Sequence, residues 1–285
     1  MNPTDFASAF DETVDNGLMW LSDNAADLFD LFNDVLKAVY QAVYTVFEWP
    51  PFYVVALLFA VLAWRLAGWR FALGTLLALT LCAMMGLWPQ TMSTLALVLT
   101  ATCLALLIGV PCGVIAGLSP AVNRVCEPAL DLVQTLPPYI YLLPAIALLG
   151  YGTGTALIAT VIVAVPPVLR LTALGVRMTP QAFLELGNAS GTTGWQQFVK
   201  IRLPFALPSI RTGINQSLMM AFGMVVIAGI VGSGGLGEVI YSAIRTLDIA
   251  RSINAAIAIV VLTLVLDRLA QGRHRDSEEA GHGAH

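Results

Sequence analysis

Gly232-Ser233-Gly234-Gly235-Leu236-Gly237 carries the spacing G-x-G-x-x-G, which in a nucleotide-binding unit cradles a dinucleotide pyrophosphate. That chemistry needs a strand before the glycines, a helix after them and an acid about 20 residues further on. Here an apolar, helical run precedes them, so Gly234, Gly235 and Gly237 are read as tight turns of an outer gating loop. A phosphate-binding G-x-x-x-x-G-K-[ST] is absent, because the two lysines, Lys37 and Lys200, follow Leu36 and Val199. The four cysteines, Cys82, Cys103, Cys112 and Cys126, form no C-x-x-C pair and read as small buried hydrophobes. His274, His282 and His285 all fall in the polar C-terminal tail, so a redox metal or haem has no ligand cluster and no cofactor is expected.

The other polar residues with chemical meaning interrupt apolar runs. Asp131 and Gln134 precede Pro137, Pro138, Tyr139, Tyr141 and Pro144, and Asn215 and Gln216 interrupt a later run. A carboxylate at membrane depth costs about 3 kcal/mol even on a mild insertion scale, so Asp131 should be paired or wet. Arg124 and Arg170 are the candidate partners, and a helix-end ion pair is the plainest reading. Prolines remove backbone donors and leave carbonyls free, which is tolerated only inside protein or along a cavity. Asp131, Gln134, Pro137, Pro138, Tyr139, Tyr141, Asn215 and Gln216 are therefore the candidate lining of a path, with helix packing as the alternative for each aromatic.

Composition says what positions these residues. Of the 285 residues 58% are hydrophobic and 11% charged, against about 25% charged in an average soluble domain. With a mean hydropathy of +0.79, the chain cannot be a soluble enzyme or a disordered tail and must be an all-α polytopic membrane protein bathed in lipid. A net charge of -4 and two lysines argue against nucleic acid.

Seven stretches are long enough to span: 51–68, 71–88, 93–118, 128–150, 154–176, 212–233 and 252–269. Placing the N-terminus outside and the C-terminus in the cytoplasm puts eleven of the fourteen bases inside and leaves only Lys37, Arg245 and Arg251 outside. Residues 1–48 hold nine acids and one base and form an external segment without a cleavable signal. Within it, Leu21, Ala25, Leu28, Phe32, Val35, Val39, Val43 and Val46 recur at helical steps, with Asp23, Asp27, Asp30, Asp34, Lys37 and Gln41 opposite. Because the polar face has the wrong sign for anionic lipid, this amphipathic helix is expected to pack on the protein. Residues 49–270 then form the membrane domain and 271–285 a polar cytoplasmic tail, and no repeat suggests a second domain.

The cytoplasmic connection 178–211 has the most specific spacing. Glu185 is followed six residues later by Gly191, and after nine more come Ile201, Leu203 and Pro204. This resembles the E-A-A-x3-G-x9-I-x-L-P loop of ABC importer permeases, with Leu186-Gly187 in place of the paired alanines. The resemblance implies a helix-turn-helix that docks on an ATP-binding subunit, with Pro204 and Pro208 fixing the return to the membrane.

A narrower resemblance rests on Asp131-x2-Gln134-Thr135-x-Pro137, Pro166-Pro167-x2-Arg170-Leu171-Thr172, Gly213-x-Asn215-Gln216, Gly234-Gly235-Leu236-Gly237 and Leu266-Asp267-Arg268-Leu269. Together these resemble the permeases of glycine betaine, proline and choline importers over roughly 50–270. It implies the type I importer fold, location in the bacterial inner membrane, a homodimer, two cytoplasmic ATPase subunits and an external solute-binding protein. The permease itself would then be no enzyme. A quaternary ammonium cargo has no N–H to donate and is best held by π faces, carbonyl dipoles and a carboxylate. The same coupling loop would equally serve a permease for an amino acid or a sulfonate. An ion-coupled secondary transporter should instead show midplane acids and inverted repeats, which the sequence lacks.

Overall fold

The computed structural model describes residues 3–271, so the tail with Arg273, Arg275 and the histidines lies outside the described residues. Among the described residues the chain is helical throughout, with no strand. In order the helices are α1 (Pro3–Asn24), α2 (Ala26–Glu48), α3 (Phe52–Ala67), α4 (Trp69–Met84), α5 (Trp88–Leu118), α6 (Pro120–Thr135), α7 (Leu142–Leu149), α8 (Thr153–Arg177), α9 (Gln181–Ala189), α10 (Gly194–Gln197), α11 (Leu203–Ala228), α12 (Gly235–Thr246) and α13 (Ile249–Gln271).

Four helices are long and apolar enough to cross a membrane: Trp88–Leu118, Thr153–Arg177, Gly194–Val231 and Ile249–Gln271. They coincide with the third, fifth, sixth and seventh expected spans. Two bent pairs raise the count to six at most, against the seven expected. The helix left uncounted is the shorter apolar Trp69–Met84, and two local features set the irregular elements. Gly68, at φ +90°, turns the chain between α3 and α4, which at 16 residues each are only about 24 Å long, short of a ~30 Å hydrocarbon core. The expected span 128–150 is also broken: α6 and the segment from Pro138 to Leu149 meet at 103°, where Pro137 and Pro138 cannot continue the hydrogen-bond ladder.

Helices α5, α8 and α11 form the centre, and small residues bring them together. Gly109, Gly113 and Gly117 repeat every four residues on α5, where a Cβ would lie 2.4 Å from Val168 Cγ1, 2.7 Å from Leu169 O and 2.7 Å from Val176 Cβ. The same stretch of α8 also meets α11, where Gly175 lies against Ser209 and Ala206 and Gly213 of α11 lies against Val168. Backbones that approach this closely replace the hydrophobic drive that lipid does not supply. Leu95, Val98, Ala101, Leu157, Ala164, Leu218, Ala221 and Val225 fill the core between them.

Helix α2 packs on the protein as expected, but on a different stripe. Its buried residues are Asn33, Leu36 and Tyr40, turned roughly 100° from the stripe through Leu28, Phe32, Val35, Val39 and Val46, which stays exposed. The helix thus has three sides, one apolar and open, one acidic, and one against α5, α7 and α8. Asn33 Nδ2 donates to Leu149 O at 2.8 Å and fastens it there.

Candidate functional site

The loop after α8 is built by local chemistry. Thr179 Oγ1 donates to Val176 O, Pro180 precedes α9, and Gly191 closes α9 with φ +72°, its N–H donating to Asn188 O at 3.0 Å. Thr192 N–H donates to Gly187 O, and Thr193 with Gln196 forms a capping box that starts α10. The positive φ is the conformation for which the Glu-to-Gly spacing selects glycine. A Cβ on Gly191 would meet nothing within 4 Å, so the turn is open on its outer side.

Two further residues, not picked out by the spacing, hold the two short helices together. Gly187 is buried, and a Cβ there would come within 2.8 Å of Ile201 Cδ1 and 3.0 Å of Thr192 Oγ1. The departure from the family's paired alanines is therefore the place where Ile201 seats. Gln197 Nε2 donates to Leu184 O at 3.0 Å and to Asn188 Oδ1 at 3.1 Å. Leu203 packs on Val176, Ala206 and Ile210, and Phe183 meets Phe205 at 5.0 Å between ring centroids. Glu185 and Pro204 are exposed, as are Leu186, Trp195 and Met178 around them.

Pro204 and Pro208 return the chain to the membrane without breaking it. From Gly194 to Val231 the chain is one 38-residue rod that includes both. A π-turn over Phe198–Arg202 precedes Pro204, and its wider ring relieves the clash between the proline ring and the carbonyl of Lys200. The loop and the spanning helix α11 are thus mechanically continuous.

The residues expected to line a path divide into groups. Arg170 of α8 pairs with Asp131 of α6, and its second nitrogen donates to Gln134 Oε1 at 2.9 Å. Arg177 and Glu127 form a second ion pair between the same helices at 3.7 Å. Arg170, not Arg124, is the partner of Asp131, and the helix-end ion pair is what the structure contains. Both pairs are substantially solvent-exposed, so each adds at most about 1 kcal/mol. Tyr141 O–H donates to Val133 O at 2.6 Å, occupying a carbonyl near the break after α6. Pro137 is extended, Pro138–Tyr141 forms a 3-10 turn, and Tyr139 remains exposed. On α11, Asn215 Oδ1 is buried without a hydrogen-bond partner among the described residues, while Gln216 is exposed.

The glycine-rich turn takes the positive φ values expected of it, +68° at Gly232, +76° at Gly234 and +74° at Gly235. Glu238 Oε2 accepts from Gly234 N–H at 2.8 Å, and Thr94 Oγ1 accepts from Leu236 N–H at 2.8 Å. Gly237, expected to turn tightly with Gly234 and Gly235, lies instead in the first turn of α12 without a positive φ, and is glycine because a Cβ would stand 2.1 Å from Val225 O. The turn is therefore seated on the start of α5 and the end of α11, with no strand before it.

The family model "Binding-protein-dependent transport system inner membrane component" matches residues 109–273. The glycine betaine transport system permease OpuAB of Bacillus subtilis is 38% identical, over 91% of this chain and 92% of its own. The glycine betaine/proline betaine permease ProW of Escherichia coli is 35% identical, over 95% of this chain and 77% of its own. The inward-facing MetNI methionine ABC transporter has a chain that superposes with a TM-score of 0.56 at 23% identity, over 63% of this chain and 92% of that one, a likeness of fold. The chain belongs to the ABC importer permeases of the type I fold, within the branch that includes the glycine betaine permeases, and is a multi-pass inner-membrane protein.

Proposed function

We propose that this permease carries glycine betaine, choline or a related quaternary ammonium solute into the cell, as a homodimer served by two cytoplasmic ATPase subunits and an external solute-binding protein. One chain supplies half of a two-fold path, and ATP is hydrolysed in the separate subunits. The N-terminal helices lie outside and residues 178–211 lie in the cytoplasm, in line with the distribution of bases.

The observation that carries this reading is the rod from Gly194 to Val231. A displacement of the α9–α10 pair by a moving ATPase passes directly into α11, and exposed Leu186 and Trp195 beside the Gly191 turn offer an apolar surface to grip. The cargo assignment draws on the relatives, whose names cover glycine betaine, proline betaine, carnitine and trimethylamine N-oxide. Asp131, Gln134, Tyr141, Asn215 and Gln216 are proposed to face the path, and the Gly234–Gly237 turn to gate it. Reconstitution with ATPase and binding protein in liposomes tests the whole. ATP-dependent uptake of radiolabelled glycine betaine, displaced by choline and not by neutral amino acids or sulfonates, is expected. Displacement by an amino acid, or uptake driven by an ion gradient without ATPase, refutes it.

A further inference from the structure

A cavity of about 440 Å³ opens between α2, the start of α5, the glycine-rich turn and the start of α13. That volume lies within the ~300–1,000 Å³ usual for small-molecule sites. Its lining is polar and charged. Tyr40 and Tyr44 stand side by side at one wall, their rings 5.8 Å apart and nearly parallel. Tyr40 is buried, and its hydroxyl is hydrogen-bonded to Ser93 Oγ at 2.8 Å, which fixes the ring. Gln90 brings a buried side-chain oxygen with no hydrogen-bond partner among the described residues. Glu238 and Arg251 are exposed lining residues of opposite sign. Among the described residues Arg251 makes no ion pair, and Glu238 spends one carboxylate oxygen on the Gly234 N–H.

Each part suits one part of one ligand class. A trimethylammonium group has no N–H and is attracted by aromatic faces and a nearby carboxylate. A carboxylate on the same molecule takes a guanidinium. A purely anionic ligand would leave the tyrosines and Glu238 without a role, and a purely cationic one would face Arg251 unscreened. We infer that this cavity is a binding site for zwitterionic quaternary ammonium solutes of the glycine betaine type, with the ammonium against Tyr40, Tyr44 and Glu238 and the carboxylate at Arg251. It is distinct from the Asp131–Tyr141 segment and rests on the proposed cargo class. Its place on the side assigned to the exterior makes it a first station for solute released by the binding protein.

The test uses the permease with its ATPase subunits in lipid nanodiscs, without the binding protein, and equilibrium dialysis of radiolabelled glycine betaine and choline. Both are expected to bind saturably, choline more weakly because it meets Arg251 without a carboxylate of its own. Glu238→Gln, which keeps an acceptor for Gly234 N–H, should weaken both about fivefold, and Tyr44→Leu about as much, with Tyr44→Phe near wild type. Arg251→Gln should weaken glycine betaine about fivefold and leave choline, which has no carboxylate, unchanged or tighter. A merely structural role for Arg251 would move the two ligands together. Absence of saturable binding, or equal binding in all variants, overturns the site. If the complete system still imports glycine betaine in that case, the transport reading stands without it. If the complete system imports no quaternary ammonium solute, the transport reading itself falls.

Discussion

Replacing Gly191 by valine isolates backbone strain from steric contact. The residue sits at φ +72°, and a Cβ there would have no neighbour within 4 Å, so nothing inside the chain blocks the larger side chain. What remains is the cost of holding a β-branched residue in the left-handed region, about 1–3 kcal/mol. That shifts the loop between its native turn and a relaxed one by about 5- to 150-fold. None of the glycine contacts joining α5, α8 and α11 involves this residue, so Gly191→Val should insert and accumulate normally. Gly191→Asn provides the control, because asparagine enters the same region at little cost. The expected series is near-wild-type function for asparagine, an intermediate effect for alanine and the largest loss for valine. The assay is co-purification of the ATPase with the permease, together with solute-stimulated ATP hydrolysis in liposomes. Wild-type behaviour of Gly191→Val refutes the role of the turn. An asparagine variant as poor as the valine one would mean that the partner's surface, and not φ, selects glycine.

Three other outcomes follow from the geometry. Cysteines placed singly at positions 30 and 195 should react with an impermeant reagent on intact cells only at 30, and labelling at 195 reverses the orientation. Tyr141→Phe removes the bond to Val133 O and should lower stability by about 1 kcal/mol, read as a lower Tm, while Tyr141→Ala should also lower uptake in an assembled complex; unchanged uptake with alanine makes the ring simple packing. Gly237→Ala drives a Cβ to 2.1 Å from Val225 O, a backbone atom that cannot step aside, so the permease should fail to accumulate or lose the turn's protection from proteolysis.

What could be read from the chain alone was whatever depends on neighbours in sequence. Gly191 was legible through its spacing from Glu185 and Ile201, and the positive φ it takes is a local need. The four long spans were legible because apolar length suffices to define them. The short helices α3 and α4 fall on the expected stretches but are 16 residues each, and the 128–150 segment is bent, since composition fixes how apolar a stretch is and not whether it runs straight or how far it stays helical. The α5 stripe Gly109, Gly113 and Gly117 has a period of four, yet its meaning lies in Val168, Leu169 and Val176, more than fifty residues away. Helix α2 was misread by face for a related reason. Its strongest apolar stripe is not the buried one, because Tyr40 and Asn33 are held by Ser93 and Leu149, and a polar residue with a buried partner looks like a surface residue until the partner is known.

The reading of Pro204 shows how such a gap bears on mechanism. The spacing places Pro204 where the loop returns to the membrane, and a proline inside a helix ordinarily kinks or breaks it. The π-turn over Phe198–Arg202 instead absorbs the proline by widening the helix by one residue, and the rod continues to Val231. A stiff rod transmits a push at α10 as a rotation at its far end, where Gly229 abuts Gly237 of the glycine-rich turn so closely that a Cβ would lie 2.3 Å from the Gly237 carbonyl carbon. Through that contact the lever, the span and the turn beside the Tyr40–Arg251 cavity form one connected body. In the proposed transport cycle, closure of ATPase subunits against the loop would have a direct physical route along this body to the cavity, and the two ends would need no separate signal between them.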